Sequence, residues 1–144
     1  MATALLESSP FTAPSSAAPS ARRLWAGRVL TGLAVAFLVF DTAIKLSTSP
    51  EALAAMAPLG WQPHHLPVLV AVEAVCLVLY LVPRTAPLGA VLWTGYFGGA
   101  VATHLRVDNP LVSHVLFPVY VAALVWGGLY LRDARVRALL GPAR

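Results

Sequence analysis

One cysteine, Cys76, occurs in 144 residues, and only 11% of the chain is charged. A single thiol excludes an intrachain disulfide, a CxxC redox pair and a thiolate zinc site. Also missing are a Ser-His-Asp order, an HExxH motif, a phosphate-binding Walker loop and a dinucleotide fingerprint, so no known catalytic motif is present. The shortage of charge says more about class. With 58% hydrophobic residues and a mean hydropathy of +0.75, a domain of this size does not have enough polar surface to cover itself in water. The composition is that of an integral membrane protein of one domain. The formal net charge of +4 does not point to nucleic acid, because the basic residues sit at the ends of apolar runs instead of along a groove lined with aromatics.

Four such runs are present, 24–46, 66–82, 87–105 and 111–131. Each is near the roughly 20 residues a helix needs to cross about 30 Å of hydrocarbon. Without water to satisfy N–H and C=O groups, these runs must be helical, and four are too few for a closed barrel. The expected fold is therefore all-α, an antiparallel bundle of four transmembrane helices. Arg22, Arg23, Arg28, Arg84, Arg132, Arg135, Arg137 and Arg144 fall on one side of that arrangement and only Lys45 and Arg106 on the other. By the positive-inside rule both termini are cytoplasmic.

Residues 1–21 are rich in Ser, Ala, Pro and Thr with a single charge at Glu7. They read as a disordered cytoplasmic tail ahead of a membrane domain at 22–140. A cleavable signal does not fit, since the basic residues follow this stretch instead of preceding its apolar part. Between the first two runs, Ser49-Pro50-Glu51 supplies an N-cap, a Pro at the first helical position and an early acid. It predicts a short helix at the outer interface. In the third run Gly95 and Gly99 form a GxxxG pair, with Gly98 and Ala102 one position round. Such small-residue faces let helix backbones approach closely, within the bundle or in a homo-oligomer.

Ionisable side chains inside the runs are the main functional clue, since a charge in hydrocarbon costs roughly 2.5–3.5 kcal/mol on insertion scales and needs a partner, a cavity or a ligand. Asp41 and Lys45 share a helix face at i and i+4, the spacing of an internal ion pair. Asp41 falls about 7 to 8 Å below the outer end of its helix and Glu73 about 10 Å below the same surface. A carboxylate at that depth requires a proton or a cation, and Lys45, Arg106, His104 and His114 are at its level. The six residues Asp41, Lys45, Glu73, His104, Arg106 and His114 thus form one expected outer-half cluster, either a ligand-binding head or an ion-pair network. His104 and His114 face each other across a short turn, the arrangement of a bis-histidine site, but haem normally takes histidines deeper than the interface and is disfavoured. No metal set is assigned. Thr94 and Tyr96 are mid-membrane polar groups suited to bonding a neighbouring helix.

The stretch VPRTAPLGAVLWTGYFGGAVATHLR from Val82, with HVLFPVYVAALVWGGLYLRD from His114, resembles the DoxX-like family of small bacterial four-helix membrane proteins. Asp41 and Lys45 in the first run, and Glu73 followed by Leu79-Tyr80-Leu81-Val82-Pro83-Arg84-Thr85 in the second, are similar to it too, so the resemblance covers roughly 24–140. It implies a four-helix bundle in the bacterial inner membrane and a link, through relatives, to quinone-coupled redox chemistry or oxidative stress. The missing cysteine motif weighs against direct sulfur chemistry. The expected function is a polar-headed outer-leaflet pocket for a quinone or membrane lipid, as an accessory redox-linked subunit. The alternative is a non-catalytic structural subunit or scaffold of a membrane complex, with a protein partner. A small transporter ranks third, because the ionisable residues stop at one side.

Overall fold

Ser20 opens the first helix: its hydroxyl oxygen accepts from the Arg23 N–H at 3.4 Å, satisfying one of the N–H groups that a helix start leaves open. The computed structural model describes residues 20–141, and the tail expected ahead of the membrane domain lies outside them except for Ser20 and Ala21. Among the described residues every regular element is helical. Helix α1 spans Ala21–Ser47 and ends at Thr48, which adopts a left-handed φ of 46°. Ser49 then caps α2, Pro50–Met56, accepting from the Ala52 N–H at 3.2 Å. This is the short helix its sequence predicts, with Pro50 at the position where a missing N–H is harmless.

A 3-10 turn at Ala57–Leu59 stops at Gly60, φ 80°, and a second at Pro63–His65 leads into α3, Leu66–Leu81. Helix α4 follows at Ala86–Arg106. The fourth apolar run is not continuous α-helix as the sequence suggests. Leu111–Val115 forms a π-helical turn in which Val115 N–H donates to Pro110 O at 3.3 Å and Leu116 N–H to Leu111 O at 2.9 Å. Regular geometry resumes in α5, Phe117–Arg132. Pro118 explains the break, since it has no N–H to return to the His114 carbonyl and its ring crowds that oxygen.

The buried residues of α4, namely Ala86, Gly89, Ala90, Trp93 and Phe97, recur at the helical period. They meet Ala34 and Leu38 of α1, Cys76 and Tyr80 of α3, and Val121, Val125 and Leu129 of α5 in one apolar core. Helix α1 packs on α5 and α3, and α4 packs on α3 and α5. Gly27 lies against Gly128 while Phe37 meets Phe117 edge-on at 5.2 Å, so contacts run in opposite order along α1 and α5. The Tyr80 hydroxyl donates to the Val125 carbonyl at 2.9 Å, joining α3 to α5 through the core. Outside, Leu33, Phe40, Val68, Val75, Val78 and Val91 are exposed, a surface that hydrocarbon solvates without penalty.

Among the described residues, three helical segments are long and apolar enough to cross a membrane by length and composition, Ala21–Ser47, Pro63–Leu81 and Leu111–Arg132. Helix α4 has 21 residues but is diluted by Gly89, Thr94, Gly95, Tyr96, Gly98, Gly99 and Thr103.

After α5, Asp133 caps α6, Ala134–Leu140, accepting from the Arg135 N–H at 2.8 Å. The Arg135 guanidinium donates to Asp133 at 2.8 Å and to the Pro83 carbonyl at 2.7 Å, tying α6 to the α3–α4 turn. That hydrogen bond from Arg135 holds the Asp133 carboxyl below its usual range. A depressed folded value means that stability is present above the ordinary value of 3.8 and is lost as pH falls through the lower, folded one. Asp133→Ala is expected to cost about 1 kcal/mol, the worth of an N-cap. Amide exchange across 134–140 should speed up at neutral pH in the variant, and in the wild type only in acid below 3.8.

Candidate functional site

Lys45 and Glu73, two charged residues from different helices, are buried together. Lys45 is 6% exposed and Glu73 0%, so each needs a partner within the protein. The Lys45 Nζ donates to Glu73 Oε1 at 2.6 Å and to Asp41 Oδ2 one helical turn away. The Thr42 hydroxyl donates to Glu73 Oε2 at 2.9 Å, and the Tyr96 hydroxyl donates to Oε1. Lys45 also stands 5.8 Å from the Tyr96 ring centroid, within cation–π range. Helices α1, α3 and α4 thus converge on one carboxylate whose two oxygens are both taken.

The local sequence explains this convergence. Asp41 and Lys45 stack because side chains at i and i+4 lie on one helical face, and Thr42, next to Asp41, points round toward α3. Its single hydroxyl proton is shared between Glu73 Oε2 and the Leu38 carbonyl, which stands 2.8 Å away, and the two acceptors together fix its orientation. Tyr96 is held by Trp93, edge-on at 5.5 Å, and Trp93 in turn stacks on Phe97 at 5.2 Å. An aromatic wall therefore sets the phenol where Glu73 can receive it.

Beside the network lies a cavity of about 340 Å³, within the range of small-molecule sites. Asp41, Lys45, Tyr96, Thr103 and His104 are its polar lining. Phe37, Leu38, Leu69, Phe97, Phe117 and Val121 make up the apolar remainder, and Met56, Leu59 and Trp61 from the α1–α3 connection close one side. Gly95 and Gly99 line it as well. No atom lies within 4 Å of where a Cβ would stand on Gly95, Gly98 or Gly99. Within this chain the GxxxG face therefore borders space and does not hold helices together.

The six residues expected as a cluster are distributed unequally. Asp41, Lys45 and Glu73 are in contact, and His104 lines the same cavity. Arg106 turns the other way, donating from Nη2 to the Leu59 carbonyl at 2.8 Å beside Gly60. It pins the connection that covers the cavity. His114 is exposed and meets the His104 ring edge-on at 5.9 Å. The Nδ1 of each is engaged locally, His104 with the Asn109 amide at 2.8 Å and His114 with the Ser113 hydroxyl at 2.8 Å. Thr42 is the member that the sequence did not single out. Its only signal is a hydroxyl next to a membrane-embedded acid.

Long apolar helices around a buried ion-pair network are those of a helical membrane protein. The sequence model of the DoxX-like family matches residues 29–128, and the chain belongs to that family. The matched region contains Asp41, Lys45, Glu73, His104, Arg106 and His114. No curated protein and no solved structure shows a significant match.

Proposed function

We propose that this DoxX-like protein is an antiparallel bundle of four transmembrane helices, α1, α3, α4 and α5, in a bacterial inner membrane, with both termini cytoplasmic. Its outer-half cavity binds the polar head of a quinone or a lipid, as an accessory redox-linked subunit. The observation that carries this reading is the Asp41–Lys45–Glu73–Tyr96 network beside a mainly apolar cavity that Asp41, Lys45 and Tyr96 line. An amphipathic molecule needs both parts, polar atoms that fix its head and apolar walls for its tail. The topology is supported by the arginines gathered at the end where α1 begins and α5 finishes. It is supported too by the length of α4, which at 21 residues is enough to reach across hydrocarbon.

A second reading, a non-catalytic structural subunit or scaffold, is favoured by the saturation of Glu73 by protein donors. The uncovered Gly95 and Gly99 positions would then receive a partner or a second copy. Purified wild type, Asp41→Asn and Glu73→Gln should be compared for unfolding midpoint in detergent and for co-purifying quinone or lipid by mass spectrometry. Folded variants that retain less of the co-purifying molecule than the wild type are the expected result. Variants that fail to fold, or that keep the wild type's complement of small molecules, would favour the structural reading.

A further inference from the structure

The donors and acceptors left over at the head of the cavity discriminate between ligand heads, given that the cavity is the binding site proposed above. Glu73 is 0% exposed and does not line the cavity. Asp41 and Lys45 do line it, so an occupant meets this pair first. Among the described residues, the donor on Asp41 is Lys45, taken up by Oδ2, and Oδ1 accepts from none. A lysine ammonium carries three N–H donors, and two are spent on Asp41 and Glu73. One acceptor and one donor therefore remain side by side on neighbouring turns of α1.

The charge count adds a second restriction. Asp41 and Glu73 against Lys45 sum to −1 with all three charged, the His104 imidazole that lines the same cavity adds nothing while neutral, and α5 brings only Phe117, Pro118 and Val121. An anionic head would enter a site that already has excess negative charge at low dielectric, which is unfavourable.

We infer that the head group this site selects is a neutral hydroxyl, phenolic or alcoholic, that donates to Asp41 Oδ1 while accepting from the remaining Lys45 N–H. A carbonyl head, such as the oxidised form of a quinone, only accepts and leaves Asp41 without a donor in the filled, dehydrated site. A site with a polar group left unpaired rejects such an analogue strongly. A phosphodiester head has the wrong charge.

The test is an anaerobic calorimetric titration of the full-length protein in neutral detergent with a decyl-substituted benzoquinol and with the same molecule oxidised to the benzoquinone. Phosphatidylglycerol is added as competitor. The quinol is expected to bind about tenfold more tightly, equivalent to one hydrogen bond to a charged acceptor, and phosphatidylglycerol should not displace it. Asp41→Asn removes the charge and presents an amide that donates as well as accepts, so the preference should shrink to within about threefold. Equal affinities in the wild type, a tighter quinone, or displacement by phosphatidylglycerol would overturn the hydroxyl selection and leave the pocket standing. Failure of both forms to bind would overturn the pocket reading and this inference with it.

Discussion

Replacing Lys45 with methionine should destabilise the protein far more than neutralising the carboxylate it faces. Lys45→Met keeps most of the side chain's apolar length but removes the one cation, among the described residues, that is bonded to Glu73. Two carboxylates are left, Glu73 with its side chain wholly buried and Asp41 with its side chain 34% exposed. Breaking a buried pair in this way costs about 3–5 kcal/mol, because one ion stays behind uncompensated. Glu73→Gln does the opposite. It leaves Lys45 balanced by Asp41, and the glutamine can still be reached by the Thr42 and Tyr96 hydroxyls, so about 1 kcal/mol is expected.

Unfolding in mild detergent, followed by circular dichroism against added denaturing detergent, would measure both variants. In the double variant, glutamine should recover much of the loss caused by methionine, giving a coupling of the size seen for residues sharing one network. A Glu73→Gln cost as large as that of Lys45→Met would mean that Glu73 is not held as the partner of a buried cation. Both the ion-pair account and the charge count at the cavity head would then be wrong.

How much of this site could be read in advance depended on how local each relationship was. The Asp41–Lys45 pair is four residues apart within one helix, and helical geometry alone joins them. Glu73 stood out because a carboxylate cannot be left unmatched in an apolar run. Its choice of Lys45 over Arg106, His104 and His114 was not legible, because it depends on the rotation of α3 against α1, which the buried faces of both helices set together. Tyr96 could be recognised as a polar group seeking a neighbour, but not as a donor to Glu73. Arg106 has a long side chain at a helix end, where a folded-back loop carbonyl outcompetes a distant carboxylate, and no pattern in the run 87–105 encodes that loop. The helical segments themselves came through closely, since apolar length is a one-dimensional property. The exception was the break at Leu116, where Pro118 overrides a hydropathy that continues through it.

Glycine is where pattern and packing diverge most, and the second large effect is expected there. Gly95 and Gly99 carry the recognisable spacing yet have no atom within 4 Å of a prospective Cβ, whereas Gly89 has no motif and no room. A Cβ on Gly89 would stand 2.4 Å from the Tyr80 backbone nitrogen and 2.6 Å from its Cα. Those are main-chain atoms of α3 and cannot rotate aside. The approach is fixed from both ends of the turn: the Thr85 hydroxyl donates to the Leu79 carbonyl at 2.8 Å, and the Tyr80 hydroxyl is bonded into α5. Gly89→Ala must therefore push α4 off α3 and strain the core around Tyr80, Ala90 and Trp93. About 3 kcal/mol of destabilisation is expected, the upper end for overpacking, even though alanine by itself favours a helix interior by about 1 kcal/mol. Gly99→Ala meets nothing and should keep that gain, leaving stability unchanged or raised by up to about 1 kcal/mol. Opposite signs for the same substitution on one helix, measured in the same detergent unfolding assay, are the expected outcome. Equal losses at the two positions would show that the Gly99 face is covered by a partner that this single chain does not contain.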